Sequence, residues 1–241
     1  ERGSMRPPPT QIRICIIGDP TNHWSFMGKR RLDLALSSVP QEEYSFDIEW
    51  KPFMEHPHIK EGDLCGAAEF YREKYKKTSI WHKLREFLHD QGKQHAINFN
   101  FEAPVCCTLP AHRLVTWAHR FNKQHELMEA LFVAFHEDGL DISDKKVLTR
   151  LALAVGLPSP EGFLDTDELL QTVIDSHQEA RKMRLVDIPN FTLFYDQNRK
   201  QERLEGAQSH LAFVEKFKQI RKSVTQINAI RRRKQRIVAR L

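Results

Sequence analysis

Apolar positions first gather between Ile12 and Ile17, where β-branched side chains make Gln11–Ile17 a short strand that stops at Gly18-Asp19-Pro20. The spacing then turns helical. Leu32, Leu34, Ala35 and Leu36 carry the apolar side of a helix predicted over Met27–Leu36, with Lys29, Arg30 and Arg31 in solvent. Alternation over Tyr44–Trp50, with Phe46, Ile48 and Trp50 against Ser45, Asp47 and Glu49, predicts a half-buried strand. Pro52, Pro57 and Gly62 break the chain after it.

From about Leu64 to Leu185 the pattern is helical almost throughout. Helices are predicted at Ala67–Tyr75, Ile80–Gln91, Pro110–Asn122, His125–Glu137, Lys145–Val155 and Thr166–Met183. Gly92, Gly139 and the run Gly156-Leu-Pro-Ser-Pro160 separate them. Asp144 and either Asp165 or Thr166 are candidate N-caps. Strands return at Asn190–Tyr195, just after Ile188-Pro189, and at Gln201–Leu204. Gly206-Ala-Gln-Ser209 then opens a last helix with Leu211, Val214, Phe217, Ile220, Val224 and Ile227 on one face. The order is strand, helix, strand, helical block, strand, strand, helix, so two halves of one sheet must meet across the block.

Composition narrows the class. Of 241 residues, 40% are hydrophobic and 29% charged, as in an ordinary soluble globular protein, and the alternation of strands with helices makes the expected class α/β. Glu1–Ser4 read as a tag remnant, and residues 1–10 as that remnant plus a disordered, proline-rich arm. No run is long and apolar enough to span a membrane, so no membrane partner is expected. The net charge of +5 is uneven. Ten Lys/Arg and no Asp/Glu lie between Lys216 and Leu241, which leaves the rest at about −5. A nucleic-acid partner is therefore not expected outside this tail, whose Arg231-Arg-Arg-Lys234 otherwise reads as a solvated helix end. Cys15, Cys65, Cys106 and Cys107 have no metal-ligand spacing and form no C-x-x-C, and a reducing, intracellular setting fits them. The ending Ala239-Arg240-Leu241 is a variant of the Ser-Lys-Leu peroxisomal address, so the expected location is cytoplasmic or peroxisomal.

The order of elements, with Asp19, Trp24, Phe26, Gly28, Lys29, Arg30, Arg31 and Leu32 at the first turn, resembles the DsbA-like family in its FrnE-like branch. That branch reads Asp, two residues, Cys-Pro-Trp-Cys, an aromatic, an apolar residue, then Gly-Lys-Arg. Trp50-Lys-Pro-Phe53, Ala111-His-Arg-Leu114, Leu131-Phe132, Glu137-Asp-Gly-Leu-Asp-Ile142, Val186-Asp-Ile-Pro-Asn-Phe191 and Gly206-Ala-Gln208 extend the likeness over residues 11–220. The resemblance implies a thioredoxin fold carrying a large all-helical insertion. Residues 11–63 and 186–220 would form the thioredoxin-like part, 64–185 the insertion and 221–241 a basic helical extension. A homodimer is the family-style expectation.

The chain departs from the family at the active turn. Asn22 and Ser25 stand where the family has its two cysteines, and His23 replaces the residue between them; Cys107 stands where an Asn precedes Thr in the insertion. Disulfide exchange needs a thiolate, which this turn does not supply. Relatives without the cysteines, the 2-hydroxychromene-2-carboxylate isomerases and kappa-class glutathione transferases, use a serine at the first position to steady a glutathione thiolate. The resemblance therefore implies an isomerase or glutathione-transferase-type catalyst on a conjugated or aromatic small molecule, such as a polyketide or other secondary metabolite. Glutathione is the candidate cofactor, and no metal is expected.

At a helix N-terminus, Asn22 and Ser25 could hold a thiolate or oxyanion, and His23 could move a proton near neutral pH. Asn22 or Ser25 equally suits a helix cap. Trp24, Phe26 and Trp81 are candidates for an apolar substrate wall, Trp24 and Trp81 being equally readable as core. If Pro189 is cis, as the resemblance implies, Ile188 and Pro189 would pair with an extended peptide such as glutathione. Gly206, Ala207 and Gln208 would seat its carboxylate at the start of the last helix. His112 and His119 read as packing or surface residues. The alternative to an enzyme is a non-catalytic thioredoxin-like binding module.

Overall fold

The computed structural model describes residues 7–75, 78–185 and 187–238. Strand β1 (Thr10–Gly18) leads into helix α1 (His23–Ser38) and strand β2 (Tyr44–Pro52), which runs parallel to β1 from Thr10↔Tyr44 to Gly18↔Pro52. After the insertion, β5 (Asn190–Tyr195) pairs antiparallel with the other side of β1, and β6 (Lys200–Glu205) with β5. The sheet order β2-β1-β5-β6 makes β1 central, so Ile12, Ile14 and Ile16 are fully enclosed. Helix α9 (His210–Val238) brings Phe213 and Phe217 into this core, with ring centroids 4.8 Å from Phe191 and Phe46 respectively. Each such ring contributes about 2–3 kcal/mol by leaving water.

Between β2 and β5 lie a short antiparallel pair, β3 (Leu64–Cys65) with β4 (Val105–Cys106), and most of the helices. These are α2 (Ala67–Tyr75), α3 (Thr78–Lys93), α4 (Leu109–Ala118), α5 (Gln124–His136), α6 (Lys145–Ala154), α7 (Glu161–Leu164) and α8 (Leu170–Lys182). A sheet from the chain's two ends and helices from its middle form the expected thioredoxin fold with a helical insertion.

Several boundaries differ from the periodicity. Thr10 already belongs to β1, so the arm ends sooner than expected, and residues 1–6 lie outside the described residues. Helix α1 begins at His23, four residues before the expected Met27, because the Asn22 side chain caps it. The β3–β4 pair is too short to show as a pattern. Helix α4 ends at Ala118 and tightens into a 3-10 turn at His119–Phe121, closed by Asn122 at φ +58°. Asp144 does cap α6, accepting from Lys146 N. The predicted Thr166–Met183 helix starts only at Leu170, and neither Asp165 nor Thr166 caps it. Arg113 donates to the carbonyls of Glu168 and Thr166 and holds that segment as a turn. Residues 210–238 are one uninterrupted helix, so no break sets the basic extension apart.

Ile188–Pro189 is a cis peptide. Its ring lies against α1 at Gly28, where a Cβ would stand 2.6 Å from Pro189 Cγ and 3.2 Å from Phe191 Cζ. Only glycine lets the helix approach this closely. Helix and proline loop are thus fastened side by side at the end of the sheet.

Candidate functional site

The turn between β1 and α1 is organised by one buried carboxylate. Asp19 is fully enclosed, and its Oδ1 accepts from Thr21 N (2.7 Å) and Thr21 Oγ1 (2.6 Å). Its Oδ2 accepts from Glu55 N (2.8 Å) and Thr108 Oγ1 (3.2 Å). His112 Nε2 stands 3.7 Å from the same oxygen and makes no hydrogen bond. Burial opposes the charge on Asp19, but His112 and the Thr21 donors outweigh it and hold the carboxyl below the usual aspartate range. His112, expected to be a packing or surface residue, thus lies beneath the turn. The sequence gives no cue to this because Asp19 and His112 are far apart along the chain.

Asn22 is the N-cap. Its Oδ1 accepts from Ser25 N at 2.7 Å, and its Nδ2 donates to Glu55 Oε2 at 2.9 Å. Both ends of the amide are therefore engaged. Ser25 is fully buried, and its Oγ has no hydrogen-bond partner. The Asn22 side chain is thus committed to the cap and to Glu55, and the unpaired Ser25 hydroxyl is enclosed, so neither is presented openly to a ligand in this conformation. Phe26 is corrected as a substrate wall. It is enclosed and stacks on Phe132 at 5.0 Å.

His23 points into a box of rings. Its centroid lies 5.3 Å from Phe99, 5.4 Å from Phe101, 6.5 Å from Tyr71 and 4.7 Å from the second imidazole, His136. Burial, with Lys74 adding a like charge, lowers the His23 pKa to about 4. Burial and the neighbouring His23 push His136 down as well, against a hydrogen bond to the Pro20 carbonyl. Both rings are neutral at pH 7, so His23 is not the near-neutral acid of the sequence reading. Trp81 closes the box one ring away, 5.6 Å from Phe101, and is itself buried, so it belongs to the wall behind His23. The space left among His23, Ala67, Tyr71, Phe101, Ala103, Phe135 and His136 is only about 10 Å³, too little for a ligand. Phe99, Phe101 and His136 went unseen in the sequence; they lie far along the chain from the turn, and Phe101 has a left-handed backbone (φ +53°).

On the opposite side, Trp24 is half-buried and faces the exposed Phe87 of α3, with centroids 6.0 Å apart. Further along α1, the cis-proline loop and Ala207 lie against Gly28. Gly206 N donates to Pro189 O and Gln208 N to Gly206 O, both at 2.8 Å, while Gln208 Nε2 donates to Glu205 O. Those donors are engaged. Arg31 crosses from α1 to the Ala207 carbonyl and to Gln91 and His95 of the insertion, which puts a guanidinium beside the expected carboxylate seat. Ile188 is buried against Ile17 and Ala180. The backbone N–H groups of His23 and Trp24 are the first-turn donors of α1 that take no partner among the described residues.

All the cysteines are free; burial pushes Cys15 up to about 11 and raises Cys106 and Cys107 too. Among the described residues no group of His, Cys, Asp or Glu could hold a metal ion, and no helix is long and apolar enough to cross a membrane.

A family model, the DSBA-like thioredoxin domain, matches residues 19–218. The chain belongs to the DsbA-like thioredoxin family. No curated protein sequence matches it. Among solved structures, this DsbA-like chain is similar to a probable DsbA oxidoreductase from Streptomyces coelicolor, at 21% identity and a TM-score of 0.75 over 87% of this chain and 89% of that one. It is also similar to the cytosolic disulfide reductase DsbM from Pseudomonas aeruginosa with GSH, at 18% identity, TM-score 0.57 and 90% and 99% coverage. A 2-hydroxychromene-2-carboxylate isomerase aligns at 12% identity, TM-score 0.59 and 90% and 98% coverage. At these identities the likeness is one of fold.

Proposed function

We propose that this DsbA-like protein is a redox-inactive enzyme of the isomerase or glutathione-transferase type, acting on a conjugated or aromatic small molecule. The observation that carries the reading is a sulfur-free helix N-terminus whose His23 and Trp24 N–H groups have no partner among the described residues, on a helix packed at Gly28 against a cis-proline loop. Such a terminus favours negative charge through its dipole and preorganised donors. The backbone of α1, not the side chains of Asn22 and Ser25, receives the thiolate or oxyanion. Trp24 offers the flat apolar wall. Glutathione, when bound, supplies a thiol that adds reversibly to an activated double bond. Ile188 and Pro189 flank its peptide, and Arg31 meets its carboxylate.

A second reading, a non-catalytic binding module, is favoured by the commitment of both ends of the Asn22 amide and the burial of Ser25. Paired assays separate these from family redox chemistry. Insulin disulfide reduction is expected at background, while glutathione addition to a conjugated enone exceeds the uncatalysed rate. Background rates in both assays would favour the binding module. Insulin reduction matching that of an Asn22→Cys, Ser25→Cys variant would overturn both readings.

A further inference from the structure

Helix α9 is about 43 Å long for its 29 residues. Phe213, Phe217 and Ile220 bury its first half against the sheet, and the last tie to the body is Arg231, which grips Asp196 with bonds of 2.6 and 2.9 Å. Beyond that grip the helix carries Arg232, Arg233, Lys234 and Arg236, none of them ion-paired among the described residues. Ile230, Ile237 and Val238 are exposed at 57%, 54% and 71%. At about 100° per residue these three fall on one side, Arg232 and Arg236 fall on the other, and Arg233 flanks the apolar side next to Ile237. Lys234 lies within the apolar side, where its stem covers hydrocarbon and its ammonium reaches outward.

We propose that the free end of α9 is a docking surface for anionic lipid, lying in the headgroup layer with its apolar side down and its arginines toward the phosphates. Charge complementarity selects this occupant: residues 231–238 carry five basic and no acidic side chains. A second copy of the same segment is repelled by those charges. A nucleic acid would use the arginines but would leave the exposed isoleucines in water, whereas an anionic bilayer accommodates both faces. The sequence expectation of no membrane partner rested on the lack of a spanning segment, and a surface helix needs none.

Sedimentation of the full chain with vesicles tests this. Binding is expected to phosphatidylcholine vesicles carrying about 30% phosphatidylserine, and not to pure phosphatidylcholine. At about 1 kcal/mol per basic residue, the Arg232→Gln, Arg233→Gln, Arg236→Gln variant should bind about a hundredfold more weakly. An Ile230→Ser, Ile237→Ser variant should lose at least about tenfold from its buried apolar area. All these positions are exposed or at the helix end, and unchanged thermal melting would confirm that each variant folds. No binding to the anionic vesicles, an isoleucine variant that binds like wild type, or tighter binding to duplex DNA than to vesicles would each overturn the proposal.

Discussion

Replacing Asp19 with asparagine is expected to cost about 3–5 kcal/mol of folding stability, the usual consequence of breaking a buried, multiply bonded charge. The carboxylate gathers donors from three places: Thr21 in its own turn, Glu55 after β2 and Thr108 at the start of α4. An amide keeps one acceptor oxygen but turns its own N–H groups toward these donors. Each donor orphaned in the interior costs about 1–3 kcal/mol. Because the donors tie the active turn to the insertion, loss should appear in the global unfolding transition and not as local fraying. Urea denaturation reads the change directly. A loss below about 1 kcal/mol would mean that these bonds are dispensable.

The second large effect is acid destabilisation driven by the His23–His136 pair. An unfolded histidine titrates near pH 6.5, and His23 in the fold titrates near 4. Between those values the unfolded chain binds more protons than the folded one, so stability is complete above about pH 6.5 and falls as pH drops toward 4. His23 alone accounts for about 3 kcal/mol of that loss, on the order of 1.4 kcal/mol per pH unit of displacement. His136, also depressed, steepens it. The pair is held by Phe99, Phe101 and Tyr71 with no acidic partner in the box among the described residues, so a proton there gains no compensating charge. His23→Phe keeps the aromatic packing and removes one titration. Denaturation midpoints between pH 7.5 and 4.5 should therefore fall less steeply in the variant, at a cost of about 1 kcal/mol or less at pH 7.5. Equal slopes would show that other histidines held below their usual range, such as His136 and His177, dominate the acid response.

The fold was legible because its cues are local. The Ile12–Ile17 run, the alternation of Tyr44–Trp50 and the return of strand pattern after Pro189 are read within a few residues, and together they fix a split sheet. Gly28-Lys-Arg-Arg could be placed on the first helix by resemblance, but only the approach of Pro189 shows why a glycine stands there. The site was half legible. Its location at the β1–α1 turn followed from a strand meeting a helix, and the lack of sulfur followed from reading Asn22 and Ser25. Their availability did not follow, because a cap bond to Ser25 N and a bond to Glu55 are settled by three-dimensional neighbours. His112, His136, Phe99 and Phe101 converge on the turn from distant segments with no shared periodicity, which places them beyond any sequence window. The Ala239-Arg240-Leu241 ending lies outside the described residues, so its reading as a peroxisomal address stands where the sequence left it.

The central claim is that this sulfur-free turn still stabilises a thiolate or oxyanion through the backbone of α1. Thiolate absorbance of reduced glutathione, titrated against pH with and without an excess of the protein, measures that claim most directly. The account predicts that the bound thiol ionises at least about one pH unit below its free value, near that of an ordinary cysteine at about 8.5. Glutathione that binds with an unshifted thiol, or does not bind at all, would contradict a thiolate role for the N-terminus of α1.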